Sequence, residues 1–302
     1  MNTPNRSEKV LSIPEAVKII HDGNRIAIGG FAIYQRPMAI VREIAKQRKK
    51  NLTVIGVTNS IDCDLLVGSG AVNTIETSYL GFEKYGLARN IRYHSENGSL
   101  KIIDYPELLS YDRFRASQDN LSFWPAAGLF GTDIVKLNKN IKEFNCPITN
   151  KKLHALPAAN PDVVVIHALA SDVYGNIITP SFRTLPQSLD ITLSRCCEKV
   201  IVTVEKLVSS NFLKKHSNLV EIPSHRVTAV CHAPYGAHPT PMLGRYIDDN
   251  SHWQHYIKSS TEKDLFLKYL NNYIFKIKDN NEYLDKIGGS QLASLLEVDT
   301  QQ

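Results

Sequence analysis

The sequence predicts an α/β protein built on a mostly parallel sheet, and three observations carry that expectation. Three strongly apolar runs, Asp162-Val-Val-Val-Ile-His167, Lys199-Val-Ile-Val-Thr-Val204 and Arg226-Val-Thr-Ala-Val-Cys231, are flanked by charge or turns and separated by longer segments. Such runs suit strands buried on both faces of a sheet. The amino-terminal part alternates helical and strand patterns, the rhythm of helix-connected parallel strands. The chain has 302 residues, 43% of them hydrophobic and 22% charged, enough for a large packed core and unlike a disordered, collagen-like or coiled-coil composition.

The elements follow in order. Ser12-Ile-Pro-Glu15 is a helix start, in which the hydroxyl caps backbone donors and the glutamate reaches back to the cap residue. Ala16, Val17, Ile19 and Ile20 supply the apolar face and Gly23 stops the helix. Arg25 to Ile28 is a short buried strand that runs into Gly29-Gly30-Phe31. Pro37 opens a second helix with Ile40, Val41, Ile44 and Ala45 inward, and Leu52 to Val57 is the next strand. Val72 to Ser78 and Leu100 to Ile103 are strands separated by a polar, amphipathic stretch holding Phe82, Tyr85, Leu87 and Ile91. Glu107 opens a helix after Pro106. Beyond Tyr246, Phe266, Leu267, Tyr269, Leu270, Tyr273 and Ile274 recur at helical spacing, so residues 1–245 are expected to form the main domain and 246–302 a helical tail packed on it.

Charge and cysteine usage exclude several classes. The 35 Lys and Arg exceed the 30 Asp and Glu by only 5, and the visible cluster, Lys46-Gln-Arg48-Lys49-Lys50, complements a helix C-terminus better than it suits nucleic acid. Five cysteines without a C-x-x-C spacing argue for reduced thiols and no metal site. No run approaches the roughly 18 apolar residues that cross a bilayer, and no signal-peptide core follows Met1, so a cytoplasmic protein without membrane contact is expected.

The candidate chemistry lies where strands end. In an open parallel sheet, ligands bind in the crevice at the carboxyl ends of the strands. Gly29-Gly30-Phe31, Asn59-Ser60 and Ser78-Tyr79-Leu80-Gly81 each follow a strand and are expected to line one crevice. A side chain at Gly30 is expected to obstruct that crevice and leave most of the core intact. Gly29-Gly30 fits a tight turn as well as a close backbone approach, and neither G-x-G-x-x-G nor a P-loop is present. His167, inside an apolar run, reads as a hydrogen-bonded core residue. His238, in the Pro- and Gly-rich segment Ala233-Pro-Tyr-Gly-Ala-His-Pro239, is either a site residue or part of a structural turn. Glu107 is either a helix-dipole partner or a catalytic base.

Five landmarks in order, Gly29-Gly-Phe31 with Pro37, Ser78-Tyr-Leu-Gly-Phe82, Ala127-Gly-Leu-Phe-Gly-Thr-Asp133, Pro161 to Ala168 with Gly175-Asn176, and Ala233 to Pro239, resemble the α (A) subunit of family I coenzyme A transferases, most closely the glutaconate type. The resemblance spans about four-fifths of the chain. It implies a Rossmann-like sheet of the CoA-transferase and ribose-5-phosphate-isomerase type. It further implies a coenzyme A thioester as substrate, no permanently bound cofactor, and a homologous β subunit that shares the active site in a hetero-oligomer of αβ pairs. In that family the catalytic glutamate comes from the β part, often within Ser-Glu-Asn-Gly. Ser95-Glu-Asn-Gly98 has those letters, yet its place between an amphipathic stretch and a strand marks a helix end, so Glu96 is not taken as the nucleophile. The α subunit would supply pocket walls and backbone donors. Relatives on this fold also hydrolyse or decarboxylate acyl-CoA substrates, and Glu107 keeps that alternative open. A non-enzymatic ligand-sensing module is the third reading.

Overall fold

The computed structural model describes residues 7–180 and 185–296. Its centre is a nine-stranded sheet. Seven of the strands are parallel, in the spatial order Ala229–His232, Val200–Leu207, Val163–Ser171, Arg25–Ile28, Leu52–Ile55, Val72–Thr77, Lys101–Asp104. Two short antiparallel strands, Ile177–Ile178 and Val220–Ile222, extend it beside the end of Val163–Ser171.

The apolar runs behave as their period requires. Ile26 pairs with Val163 and Ile28 with Val165, and these side chains enter one core with Ile201 and Ala229. The intervening residues Ala27, Val164, Val200, Val202 and Val230 enter a second core on the opposite face. Alternate residues of one strand therefore serve two layers, which is why the runs are apolar without interruption. On the first face pack the helices Met38–Lys46 and Ile61–Gly68, joined by Trp253, Tyr256, Phe266 and Tyr269 from the carboxyl-terminal helices Asn250–Ser259 and Lys263–Leu270. Glu107–Gln118 and Leu185–Leu193 cover the second face through Phe114, Leu189 and Leu193.

Local signals set several boundaries as expected. The Ser12 and Glu15 capping box is formed at the start of Ile13–Val17; the helix, however, ends at Val17 with Lys18 as its cap, so Ile19 and Ile20 lie beyond it and Gly23, at φ +81°, turns the chain toward the first strand and does not stop the helix. A second, antiparallel sheet of Phe123–Ala126, Lys152–Pro157 and Lys142–Asn145 was not legible in the sequence. Its strands are interrupted by Pro125 and by the exposed charges of Lys142, Glu143 and Lys152, so they lack an apolar run. No helix among the described residues is long and apolar enough to cross a membrane.

Candidate functional site

Because the seven main strands run in parallel, the segments that follow them emerge at one edge of the sheet. Gly29-Gly30-Phe31 leaves Arg25–Ile28 there in a tight turn. All four successive amides of this turn are used internally: Gly29 donates to Val165 O at 2.8 Å, Gly30 to Asp190 Oδ1 at 2.8 Å, Phe31 to Tyr34 O at 3.0 Å and Ala32 to Thr58 Oγ1 at 2.9 Å. Of the two readings of Gly29-Gly30, the tight turn is the one formed, with its amides turned inward. The absence of side chains serves packing. A Cβ on Gly29 would lie 2.4 Å from Asp190 Oδ1, and one on Gly30, whose φ is +80°, would lie 2.5 Å from Tyr34 O. A side chain at Gly30 would thus break the turn itself, contrary to the expectation that it would only obstruct a crevice.

The turn is tied to the neighbouring segments. Ala32 reaches Thr58, and Thr58–Asn59 forms a short parallel ladder with Tyr79–Leu80. Asn59 Oδ1 accepts from Thr77 Oγ1 at 2.9 Å, just before Ser78. Gly29–Phe31, Asn59-Ser60 and Ser78–Gly81 therefore do converge. Most of them converge inside the protein: Gly29, Gly30, Asn59, Ser60 and Gly81 are buried, while Phe31 and Ser78 are half-buried and Tyr79 is exposed.

Beneath them lies a polar layer that sequence reasoning missed. The Arg36 guanidinium, fully buried, forms an ion pair with Asp62 and donates to Thr58 O at 3.2 Å. Asp62 also accepts from the Ser60 amide at 2.9 Å. Ser60 Oγ is buried without a hydrogen-bond partner among the described residues. Asp190 accepts from Gly30 through one oxygen and from Gln35 Nε2, at 3.2 Å, through the other. Burial pushes the Asp190 carboxyl up to about 7, against the lowering pull of the Gly30 amide, the Arg36 charge and Gln35. Asp190 lies in Leu185-Pro-Gln-Ser-Leu-Asp-Ile-Thr-Leu193, where Gln187, Ser188 and Thr192 also interrupt the apolar residues, so nothing local singled it out.

Outside this layer the edge opens into a groove of about 830 Å³. Its lining brings together Ser78, Glu107, Trp124, Gly128 and Thr132, so two candidates from different strand ends and the Ala127–Asp133 landmark share one cavity. Glu107 is the first residue of the Glu107–Gln118 helix, exposed, and no side chain caps that helix end. First-turn amides and a carboxylate at the rim of a groove can orient an anionic or polarised carbonyl group and hold or release a proton. Leu108 and Leu137 line the same groove at 70% and 80% exposure, an apolar surface left open on its outer side.

Three residues lie apart from this groove. Glu96 ends the Arg89–Glu96 helix and pairs with Arg92 at 2.8 Å; Asn97 is the cap and Gly98 takes φ +75°. This is the helix end expected there, and it precedes Lys101–Asp104, at the opposite edge of the sheet from Glu107. His238 does not join the candidate residues. Its ring is buried, with Nδ1 2.8 Å from Tyr283 OH and Nε2 2.9 Å from Asp249 Oδ2. Burial lowers its pKa despite the Asp249 carboxylate. His167 is buried too, bonded to Thr203 Oγ1 and Glu205 Oε1, each at 2.8 Å.

Comparison with known proteins agrees with this architecture. Residues 10–233 match the family model described as coenzyme A transferase. The chain is 32% identical over 283 residues to the A subunit of 3-oxoadipate CoA-transferase from Pseudomonas knackmussii, covering 92% of this chain and 98% of that protein. It is 29% identical to the A subunit of glutaconate CoA-transferase from Acidaminococcus fermentans, covering 96% of this chain and 95% of that protein. The crystal structure of that glutaconate enzyme superposes with a TM-score of 0.91 over 96% of each chain. An uncharacterized protein of Archaeoglobus fulgidus is 33% identical over 94% of this chain, which spans only 63% of that protein's length. A family match over most of the chain, with the sheet and its carboxyl-terminal helices in common, places this protein: it belongs to the coenzyme A transferase family of enzymes.

Proposed function

We propose that the chain is the α subunit of a heteromeric acyl-CoA:carboxylate CoA-transferase, forming one wall of an acyl and carboxylate pocket that a homologous β subunit completes with the catalytic glutamate. The observation that carries this reading is the open groove. It gathers Ser78, Glu107 and the Ala127–Asp133 segment at the strand ends, yet keeps large apolar side chains exposed on its outer side, as half of a site would. Residues 1–245 are proposed as the unit bearing this wall and 246–302 as its helical tail.

The reaction divides one exchange into easier steps. A carboxylate of the partner attacks the thioester carbonyl, releasing CoA thiolate and leaving a mixed anhydride. The thiolate then attacks the enzyme's own acyl carbon, releasing the first acid and leaving an enzyme thioester. The acceptor acid reverses the sequence and leaves as its CoA ester. In this scheme the chain's own residues position the acid: the uncapped first turn of Glu107–Gln118 offers amides to a carboxylate, and Ser78, whose hydroxyl donates to Val57 O, shapes the groove wall beside it. Glu107 sits among them as an exposed carboxylate with no ion-pair partner among the described residues, which supports a second reading, an acyl-CoA hydrolase or decarboxylase in which Glu107 is the base.

The experiment is co-purification with the product of the adjacent gene, then assay of acyl-CoA loss with and without a short dicarboxylic acid, the class to which both oxoadipate and glutaconate belong. Acceptor-dependent loss by the complex, none by the chain alone, is expected. Acceptor-independent loss moves the assignment to the hydrolase, and full transfer by the chain alone removes the partner from it.

A further inference from the structure

The groove at the strand ends carries a chemical preference of its own. Its floor belongs to a small apolar core in which Tyr105, Ala126 and Leu129 are buried, with Leu109 and Ile134 packed against them. Trp124 stands in the wall, and Leu108 and Leu137 carry the apolar surface outward to the rim. Among the described residues the lining holds two charged groups, Asp104 and Glu107, both exposed carboxylates, and no lysine, arginine or histidine. Neither acid has an ion-pair partner among the described residues. Two cations close to this lining are engaged elsewhere. Arg113, buried, lies 3.6 Å from the centre of the Tyr105 ring and donates to Glu76 Oε2 at 2.5 Å and to Pro157 O at 2.8 Å. Lys136, beside Leu137 on the short helix Ile134–Leu137, does not line the groove and pairs with Asp133 at 2.7 Å.

A carboxylate at the far end of a ligand in this groove would meet two groups of like charge and apolar walls, with no cation to replace its lost water. Closure by a partner subunit excludes water and strengthens that repulsion, because like charges interact more strongly at low dielectric. An uncharged aliphatic chain meets the opposite balance, since each methylene buried is worth on the order of fourfold in affinity. The volume of about 830 Å³ lies toward the upper end of the roughly 300–1,000 Å³ of small-molecule pockets, so there is room for a chain well beyond the thioester carbonyl.

We infer that the groove selects an acyl group whose far end is an uncharged aliphatic chain and discriminates against the dicarboxylic acyl group of the same length. This rests on the groove being the acyl pocket proposed above, and it holds whether the acyl group is transferred or hydrolysed. A short dicarboxylic acid can still enter from the open, hydrated side and accept CoA, at a lower kcat/KM. The test compares octanoyl-CoA with suberoyl-CoA, which share a chain length and differ in a terminal methyl or carboxylate. The chain, with the partner it retains on purification, is read in two ways: consumption of each thioester at a fixed acceptor concentration, and the change in tryptophan fluorescence on binding. Trp124 lies in the groove wall and the other tryptophan, Trp253, is fully buried in the core, so a ligand in the groove reports through Trp124. Octanoyl-CoA is expected to exceed suberoyl-CoA by about tenfold or more in kcat/KM and in affinity. The fluorescence change is expected to vanish in Trp124→Phe. Asp104→Asn, which removes one of the two charges at nearly constant shape, should narrow the ratio by about threefold, and Leu137→Lys, a cation placed at an 80% exposed rim position, by about tenfold. Equal or better use of suberoyl-CoA, a fluorescence change that survives in Trp124→Phe, no change with either thioester, or a ratio unmoved by both charge variants would each overturn the inference. Consumption of octanoyl-CoA without an acceptor would instead replace transfer by hydrolysis and leave the preference for an uncharged chain standing.

Discussion

The amide of Gly30 donates to Oδ1 of Asp190 at 2.8 Å, across 160 residues of chain. The other carboxylate oxygen takes the Gln35 amide, so one buried acid fixes both ends of the turn that leaves the first strand of the sheet. A buried carboxyl in this position stores a pH dependence. Its folded value of about 7 lies above the ordinary 3.8, so the folded state holds the proton more tightly than the unfolded one. The stability gained is complete below pH 3.8 and is lost as the pH rises through about 7. Chemical denaturation between pH 4 and 8 should show wild type losing stability relative to Asp190→Asn with a slope of up to about 1.4 kcal/mol per pH unit. Parallel curves would remove Asp190 as the cause.

Gly30 itself tolerates no side chain. Its φ of +80° disfavours any Cβ, and the Cβ would lie 2.5 Å from Tyr34 O and 2.6 Å from Gln35 O, both backbone atoms. Gly30→Val should destabilise the fold by about 2–5 kcal/mol, the sum of backbone strain and overpacking. A melting temperature unchanged within error would show that the turn can rearrange freely.

Glu107 separates the two enzymatic readings. As a general base its replacement by glutamine should lower turnover by about 10²–10⁴-fold, because size and most hydrogen bonding are kept while the base is lost. For transfer driven by a partner's glutamate, the reading adopted above, Glu107→Gln should keep turnover within about tenfold and act mainly on acceptor KM, a far smaller effect than loss of a base. Steady-state kinetics of the reconstituted complex decide between them.

Glu96 is the internal control. It sits beyond the amino-terminal end of Lys101–Asp104, paired with the exposed Arg92, while Glu107 follows the carboxyl-terminal end of the same strand. Trapping of the enzyme thioester with hydroxylamine or borohydride should label the partner chain while Glu96 stays unmodified, and Glu96→Gln should turn over like wild type per active site. A label on Glu96 would contradict the placement of the site.

His238 should prove structural. It donates or accepts at both ring nitrogens inside the protein, and its backbone oxygen holds Arg42 Nη1 at 2.9 Å. Without the ring, the Asp249 carboxylate loses its imidazole and Tyr283 its partner, a cost of about 2–4 kcal/mol for buried groups left unpaired. His238→Ala is therefore expected to lower the melting temperature and leave kcat and KM of the folded fraction near wild type. A normal melting temperature with collapsed turnover would return it to the list of site residues.

What the chain determined by itself was local. Unbroken apolar runs required strands with two buried faces, since a strand shows successive side chains to opposite sides. Ser12 with Glu15 required a capped helix start, and Asn97-Gly98 a helix end, because hydroxyl, carboxylate and positive φ act within a turn of their own positions. The parallel order followed from those strands, and with it the edge at which Gly29, Asn59, Ser78 and Glu107 had to emerge. Only the tertiary structure decided which of them face outward. Asn59, Ser60 and His238 are polar residues beside strand ends or turns, as a binding residue would be, yet each is buried: Asn59 against Thr77 and His238 against Asp249 and Tyr283, all brought by other segments, and Ser60 with its amide bonded to Asp62 two residues on. Asp190 and Arg36 carried no local pattern, because a buried acid or guanidinium is stabilised by groups brought from elsewhere in the fold, here Gly30 and Gln35 for one and Asp62 and Thr58 for the other. The groove has the same origin. Ser78, Glu107 and Gly128 come from three separate crossings of the chain, and no pattern within one segment records the cavity that they enclose together.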